Sequence, residues 1–234
     1  MSALTLHYHP LSSYCHKVLI ALEVLGVECD MRLLNLGDAT ERAAFLALWP
    51  VGKMPLLIDQ SRAIPETSVI IEHLQLHHAR RGRSLIPLDD ADIALQVRLW
   101  DRVMDQYVMT PMQGFTADLL RPEDARDPLG VAQARERLLS SYALIDQQLQ
   151  GPGTWLVGDS FTLADCAAAP ALFYAVTYAP VPSEHAHLAA YFERLMAHPA
   201  VASAVARRWP WFKFYPGRAG LARRFFDPEQ SAPA

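Results

Sequence analysis

Ser12-Ser13-Tyr14-Cys15 stands between a short strand pattern, residues 3–8 (ALTLHY), and a helical run with Val18, Leu22 and Leu25 at i, i+4 and i+7. At a helix start the first backbone N–H groups lack intrahelical partners and the dipole is positive, so the position favours an anion such as a thiolate. Ser12 is equally suited to capping the helix, and local sequence alone makes that the simpler role. Ser13 is the neighbouring cap candidate. Cys15, three residues into the helix, is either a second nucleophile or an inert, partly buried thiol. Further on, Gly52-Lys53-Met54-Pro55 leads into a strand, and Ile64-Pro65-Glu66-Thr67-Ser68 opens another helix. Lys53 offers a point charge for a carboxylate, or is a solvated lysine. Glu66 and Thr67 offer an acceptor and a helix N-terminus, or simple caps. His73 and His77 have the i, i+4 spacing of a metal pair, but neither a third ligand nor an HExxH pattern accompanies them, so no metal is expected.

These residues need elements to hold them. Gly26 stops the first helix, a second strand is expected over 27–34, and a short helix within 40–48, which makes a βαβα opening with a parallel strand pair. PLLID (55–59) and a run near 61–64 are too close for a crossover helix and pair as a hairpin turning near Asp59-Gln60. A helix over 67–80 closes the unit. The order is that of a thioredoxin-like α/β domain, expected over residues 1–81, with a charged linker at 82–90. From 91 to 234 an all-α helical bundle is expected. Ile93, Val97, Trp100, Met104 and Val108 mark one face of a long helix, and Leu138, Tyr142, Ile145 and Leu149 mark another. Leu188, Phe192 and Leu195 mark a third. Thr162-Leu163-Ala164-Asp165 reads as a capping box behind a staple residue, Phe161, and Pro170 predicts a kink in the helix that follows.

Hydrophobic residues make up 51% of the 234-residue chain and charged residues 20%, enough for a substantial core. The net charge of -4 is small and its groups are interspersed, which argues against a nucleic-acid footprint or a polybasic membrane patch. No apolar run approaches the ~20 residues of a membrane span. Three cysteines, Cys15, Cys29 and Cys166, form no C-x-x-C pair, which fits a reducing cytoplasm better than a disulfide framework.

Taken in order, S-x-x-C-x-K-V at the first helix, G-K-M-P before the hairpin and P-E-T-x-x-I-x-x-H-L after it resemble the glutathione site of cytosolic glutathione transferases. F-T-L-A-D at 161–165 is similar to the capping motif of that family's helical domain, so the resemblance spans nearly the whole chain. It is closest to the serine-type zeta, tau and theta classes. The resemblance implies that Ser12 donates to the glutathione sulfur, with Tyr8 a lesser candidate. It also implies that Lys53 meets a glutathione carboxylate, that Met54-Pro55 is a cis pair whose backbone binds the cysteinyl part, and that Glu66 and Thr67 hold the γ-glutamyl group. The electrophile would lie near Met104, Val108, Phe115 and Trp211, aromatic and apolar residues that serve an ordinary core equally well. A homodimer is implied. The role of the tail as far as Phe226 stays open. The reaction is conjugation, isomerisation or dehalogenation; the alternatives are a thiol-disulfide oxidoreductase acting through Cys15 and a non-catalytic binding module.

Overall fold

Alternating apolar residues in the first strand and the i, i+4 stripe behind Ser12 produce the elements they predict. The computed structural model describes residues 4–225; Ala3 of the predicted first strand and Phe226 of the tail lie outside them. The chain divides into two compact units between Ile86 and Pro87.

The first unit holds β1 (Leu4–Tyr8), α1 (Ser13–Leu25), β2 (Asp30–Leu33), α2 (Ala39–Leu48), β3 (Leu56–Asp59), β4 (Arg62–Ile64) and α3 (Thr67–His77). Its four strands form one sheet in the order β2-β1-β3-β4. β1 and β2 run parallel, while β3 is antiparallel to β1 and to β4. The register places His7 opposite Leu56 and Leu57 opposite Ile64. The C-terminal ends of β1 and β4 and the N-terminal end of β3 therefore share one end of the sheet. Leu6, Val18, Leu25, Leu56, Ile70 and Leu74 are fully buried and form the core of this unit. α1 ends at Gly26, whose φ of 68° suits glycine; a Cβ there would meet Arg80 Cδ at 2.8 Å.

Two boundaries differ from the sequence reading. α3 stops at His77 rather than residue 80, because His78 leaves helical geometry at φ -133°. The first half of the expected 82–90 linker is tied down: Gln75 Oε1 accepts from the N–H groups of Leu85 and Ile86, and its Nε2 donates to the Ile86 carbonyl at 2.7 Å. Leu85 and Ile86 are buried, so the charged look of that stretch hides an apolar anchor.

Burial lowers the pKa of His7, with the Arg32 charge adding to it. A histidine kept neutral in the fold but free to protonate when unfolded makes stability rise with pH. Thermal melts should show stability lost as the pH falls below the unfolded value of 6.5, and His7→Gln should flatten that dependence; an unchanged slope would contradict the assignment.

The second unit holds α4 (Ala91–Val103), α5 (Thr110–Leu119), α6 (Pro128–Gln148), α7 (Leu163–Tyr178), α8 (Ala186–Ala197) and α9 (Pro199–Ala206), followed by short 3₁₀ turns over 209–214, 218–220 and 223–225. A π-helical stretch, Met104–Met109, joins α4 to α5. Ile93, in the first turn of α4, is exposed, while Val97, Trp100, Met104 and Val108 of the expected face are buried. The Tyr107 carbonyl in this stretch is taken up by the Ser141 hydroxyl at 2.7 Å. α7 spans Leu163–Tyr178 with Pro170 inside it. Phe161 stacks on His198 at 4.0 Å and meets Trp155 edge-on. Among the described residues no helix is long and apolar enough to cross a membrane.

Candidate functional site

Ser12, Met54-Pro55 and Glu66-Thr67 lie far apart in sequence, yet each segment adjoins the same end of the sheet: Ser12 follows β1, Pro55 precedes β3, and Glu66 follows β4. Two helix N-termini, those of α1 and α3, therefore open beside the start of β3. Each carries the positive pole of its dipole.

Ser12 is the N-cap of α1, in extended geometry, and its Oγ accepts from the Cys15 N–H at 3.3 Å. That bond uses a lone pair of the hydroxyl oxygen; the Ser12 proton remains a donor in kind. Ser13 is buried in the first turn. Tyr8 is half-buried at the end of β1, with its carbonyl accepting from Leu34 N–H at 2.9 Å. His9, in the β1–α1 loop, accepts from Leu11 N–H through Nδ1 at 3.2 Å, and burial lowers its pKa.

The Met54-Pro55 bond is cis. Met54 is partly buried and packs against the cluster of Leu34, Phe45 and Leu56, immediately before β3. Lys53 beside it is exposed.

Glu66 occupies the N-cap of α3, but its side chain makes no capping bond, and its φ of 67° is unusual for a residue with a Cβ. Simple capping is thereby removed as its role. A non-glycine residue held at positive φ is strained, and such strain concentrates at functional sites. Thr67 is buried at the first helical position.

A side-chain bond links the two helix starts. Lys17, fully buried on α1, donates from Nζ to Ser68 Oγ at 3.0 Å, in the first turn of α3. Its signal was present as the basic residue next to Val18, but nothing local tells a buried lysine from a solvated one. Lys17→Met keeps the stem and removes the donor, and should cost about 1–3 kcal/mol of stability in urea unfolding. A loss below about 0.5 kcal/mol would show the bond to be incidental.

The other candidates are placed differently. Cys15 is fully buried, so its thiol is not presented to a disulfide. Met104 and Val108 are fully buried and Phe115 nearly so, the last stacked on Tyr178 at 5.1 Å; they belong to the core of the helical unit rather than to an open pocket wall. Trp211 is half-buried near Phe214. At the opposite end of α3, Asp59, His73 and His78 converge, a cluster in which His78 stands where His77 was considered. His73 and His78 hold the Asp59 carboxyl below the usual carboxylate range.

A small mixed sheet carrying two helix N-termini at one end, joined in sequence to a helical unit, defines a thioredoxin-like domain followed by an all-α domain. Residues 6–82 match the model of the glutathione S-transferase N-terminal domain, and residues 108–199 that of the glutathione S-transferase C-terminal domain. Glutathione S-transferase 3 of Zea mays is 29% identical over 215 residues, 88% of this chain and 95% of its own. A glutathione S-transferase from Methylobacillus flagellatus, solved with GSH bound, superposes with a TM-score of 0.76 at 25% identity, over 86% of this chain and 98% of that one. Another from Methylobacterium radiotolerans, in complex with glutathione sulfonate, gives 0.72 at 27% identity, over 86% and 93%. The chain belongs to the glutathione S-transferase superfamily of enzymes.

Proposed function

We propose that this protein binds glutathione at the sheet end where α1 and α3 begin and activates its thiol as a thiolate for attack on a small hydrophobic electrophile. The observation that carries the reading is Glu66, an N-cap at φ 67° whose carboxylate caps nothing. A strained acceptor beside a helix N-terminus suits a ligand group carrying both an ammonium and a carboxylate, as the γ-glutamyl end does. Glu66 takes the ammonium, and Thr67 with the N-terminus of α3 takes the carboxylate. The cysteinyl portion pairs with the Met54 backbone as an added strand, and Lys53 meets the remaining carboxylate. Its sulfur then falls to the Ser12 hydroxyl and the N-terminus of α1. A free thiol with pKa about 8.5 is mostly protonated at neutral pH, and these donors favour the nucleophilic thiolate without a base. Two relatives solved with glutathione or its sulfonate support this reading.

The reaction is conjugation, with isomerisation or dehalogenation as variants of the same thiolate attack. The serine at the start of the first helix favours the serine-type classes. A homodimer in a reducing cytoplasm is the expected form, the first tested by sedimentation. Disulfide exchange through Cys15 is disfavoured because that thiol is buried.

Calorimetry with glutathione tests the site. Wild-type protein should bind it, and Glu66→Ala should weaken binding at least roughly tenfold, the cost of removing one charged partner. Lys53→Ala should weaken it less and in a salt-dependent way, as an exposed charge does. Undiminished binding in Glu66→Ala would refute the placement.

A further inference from the structure

We propose that Asp59, His73 and His78 form a binding site for one divalent transition-metal ion of the zinc class, remote from the glutathione segments. Two imidazoles and one carboxylate are the donor set of three-ligand zinc sites, which leave a further position for water. His73 Nε2 lies 2.9 Å from Asp59 Oδ2, and His78 Nε2 lies 2.8 Å from the same oxygen. All three ligand atoms are within 4.8 Å of one another. Around a tetrahedral zinc with bonds of ~2.0–2.1 Å, ligand atoms stand about 3.3 Å apart, so binding requires each imidazole to spread from the carboxylate by about 0.5 Å.

The fold holds these atoms from two rigid directions. Asp59 ends β3, fixed by pairing with Leu4 on one side and Arg62 on the other, before the turn at Gln60 with φ 56°. His73 projects from the last turns of α3, and His78 is its C-cap, whose non-helical backbone brings the ring back over the aspartate. In a continued helix, residues five apart would diverge around the axis. The C-terminal end of α3 is also the negative pole of its dipole, which favours a cation. The three side chains are 15%, 11% and 25% exposed, shielded yet open enough for an ion and its water to reach. His77 lies beside His73, with ring centroids 4.6 Å apart and the planes tilted by 48°, but is not one of the three. α3 begins at Thr67 and His78 caps its other end, so His73 and His78 stand about 9 Å and about 16 Å along the helix from Thr67. Without an ion the two Nε2–H groups bond the carboxylate. To accept one, each neutral imidazole moves that proton to Nδ1 and presents Nε2 as a lone pair.

The test is a calorimetric titration of full-length, tag-free protein, stripped with a chelator and dialysed, with zinc chloride at neutral pH. One equivalent should bind, and the unfolding temperature should rise with zinc concentration. Asp59→Asn, His73→Gln and His78→Gln should each weaken binding by at least roughly tenfold. His187→Gln, on α8, should leave it unchanged, and magnesium chloride should not substitute. Circular dichroism melts establish that each variant folds. For any variant that does not, X-ray absorption of the zinc-loaded wild type decides: a shell with two imidazoles and oxygen supports the site. Sulfur ligation, binding that survives all three variants, equal loss in His187→Gln, equal binding of magnesium, or no saturable zinc binding would each overturn it.

Discussion

Ser12→Ala should lower turnover with glutathione and an electrophile by about 10²–10³-fold, the effect of removing one donor aimed at a developing or resident anion, while glutathione affinity changes little. The two consequences separate because the proposed site distributes binding over Lys53, Met54, Glu66 and Thr67 and leaves the thiolate to Ser12 and the N-terminus of α1. The substitution also removes the 3.3 Å cap to Cys15 N–H, which costs about 1 kcal/mol of stability. Two further variants distinguish cap from catalyst. Ser12→Thr keeps both the cap and the hydroxyl proton and should retain much of the activity. Ser12→Asp caps at least as well but sets a negative charge against the thiolate, so it should be stable and nearly inactive. The pH profile is the sharper readout: the limb that reports thiol ionisation should move to higher pH in Ser12→Ala. Turnover within about threefold of wild type for several electrophiles would remove Ser12 from the mechanism.

The largest effect on stability is expected at Asp165, in the second unit. Its carboxylate is fully buried at the start of α7 and accepts from Thr162 N–H at 2.8 Å, Thr162 Oγ1 at 3.0 Å, Leu156 N–H at 3.1 Å and the Tyr191 hydroxyl. Burial pushes its pKa up, and the four donors oppose that shift. One side chain thereby fixes the cap of α7, the loop before it and a tyrosine of α8. Asp165→Ala strands all of those donors, each at a cost of about 1–3 kcal/mol before relaxation, so a total loss of about 3–5 kcal/mol is expected. Asp165→Asn preserves the shape and part of the acceptor capacity, and should lose less. Urea unfolding measures both. A loss below about 1 kcal/mol for the alanine variant would mean that the network is dispensable.

The sequence by itself determined whatever depends on near neighbours. The capping-box pattern at 162–165 formed because Thr162 and Asp165 lie within one helical turn, whereas the Leu156 and Tyr191 bonds to Asp165 came from tertiary packing. Strands too close for a crossover became the β3–β4 hairpin for the same local reason. The order of Ser12, Met54-Pro55 and Glu66-Thr67 around those elements was enough to point to one family. What the tertiary structure decided depends on side chains meeting across long separations. Cys15 reads as a reactive or an inert thiol until packing closes over it. Met104 and Val108 read as pocket wall or core until packing buries them completely. Lys17 and Ser68 are 51 positions apart, and Asp59 and His78 are 19 apart. Helical periodicity correctly pairs residues three or four apart, and so it offered His77 to His73. The end of α3 chose His78, because a residue leaving the helix is no longer bound to the helical face that its number assigns.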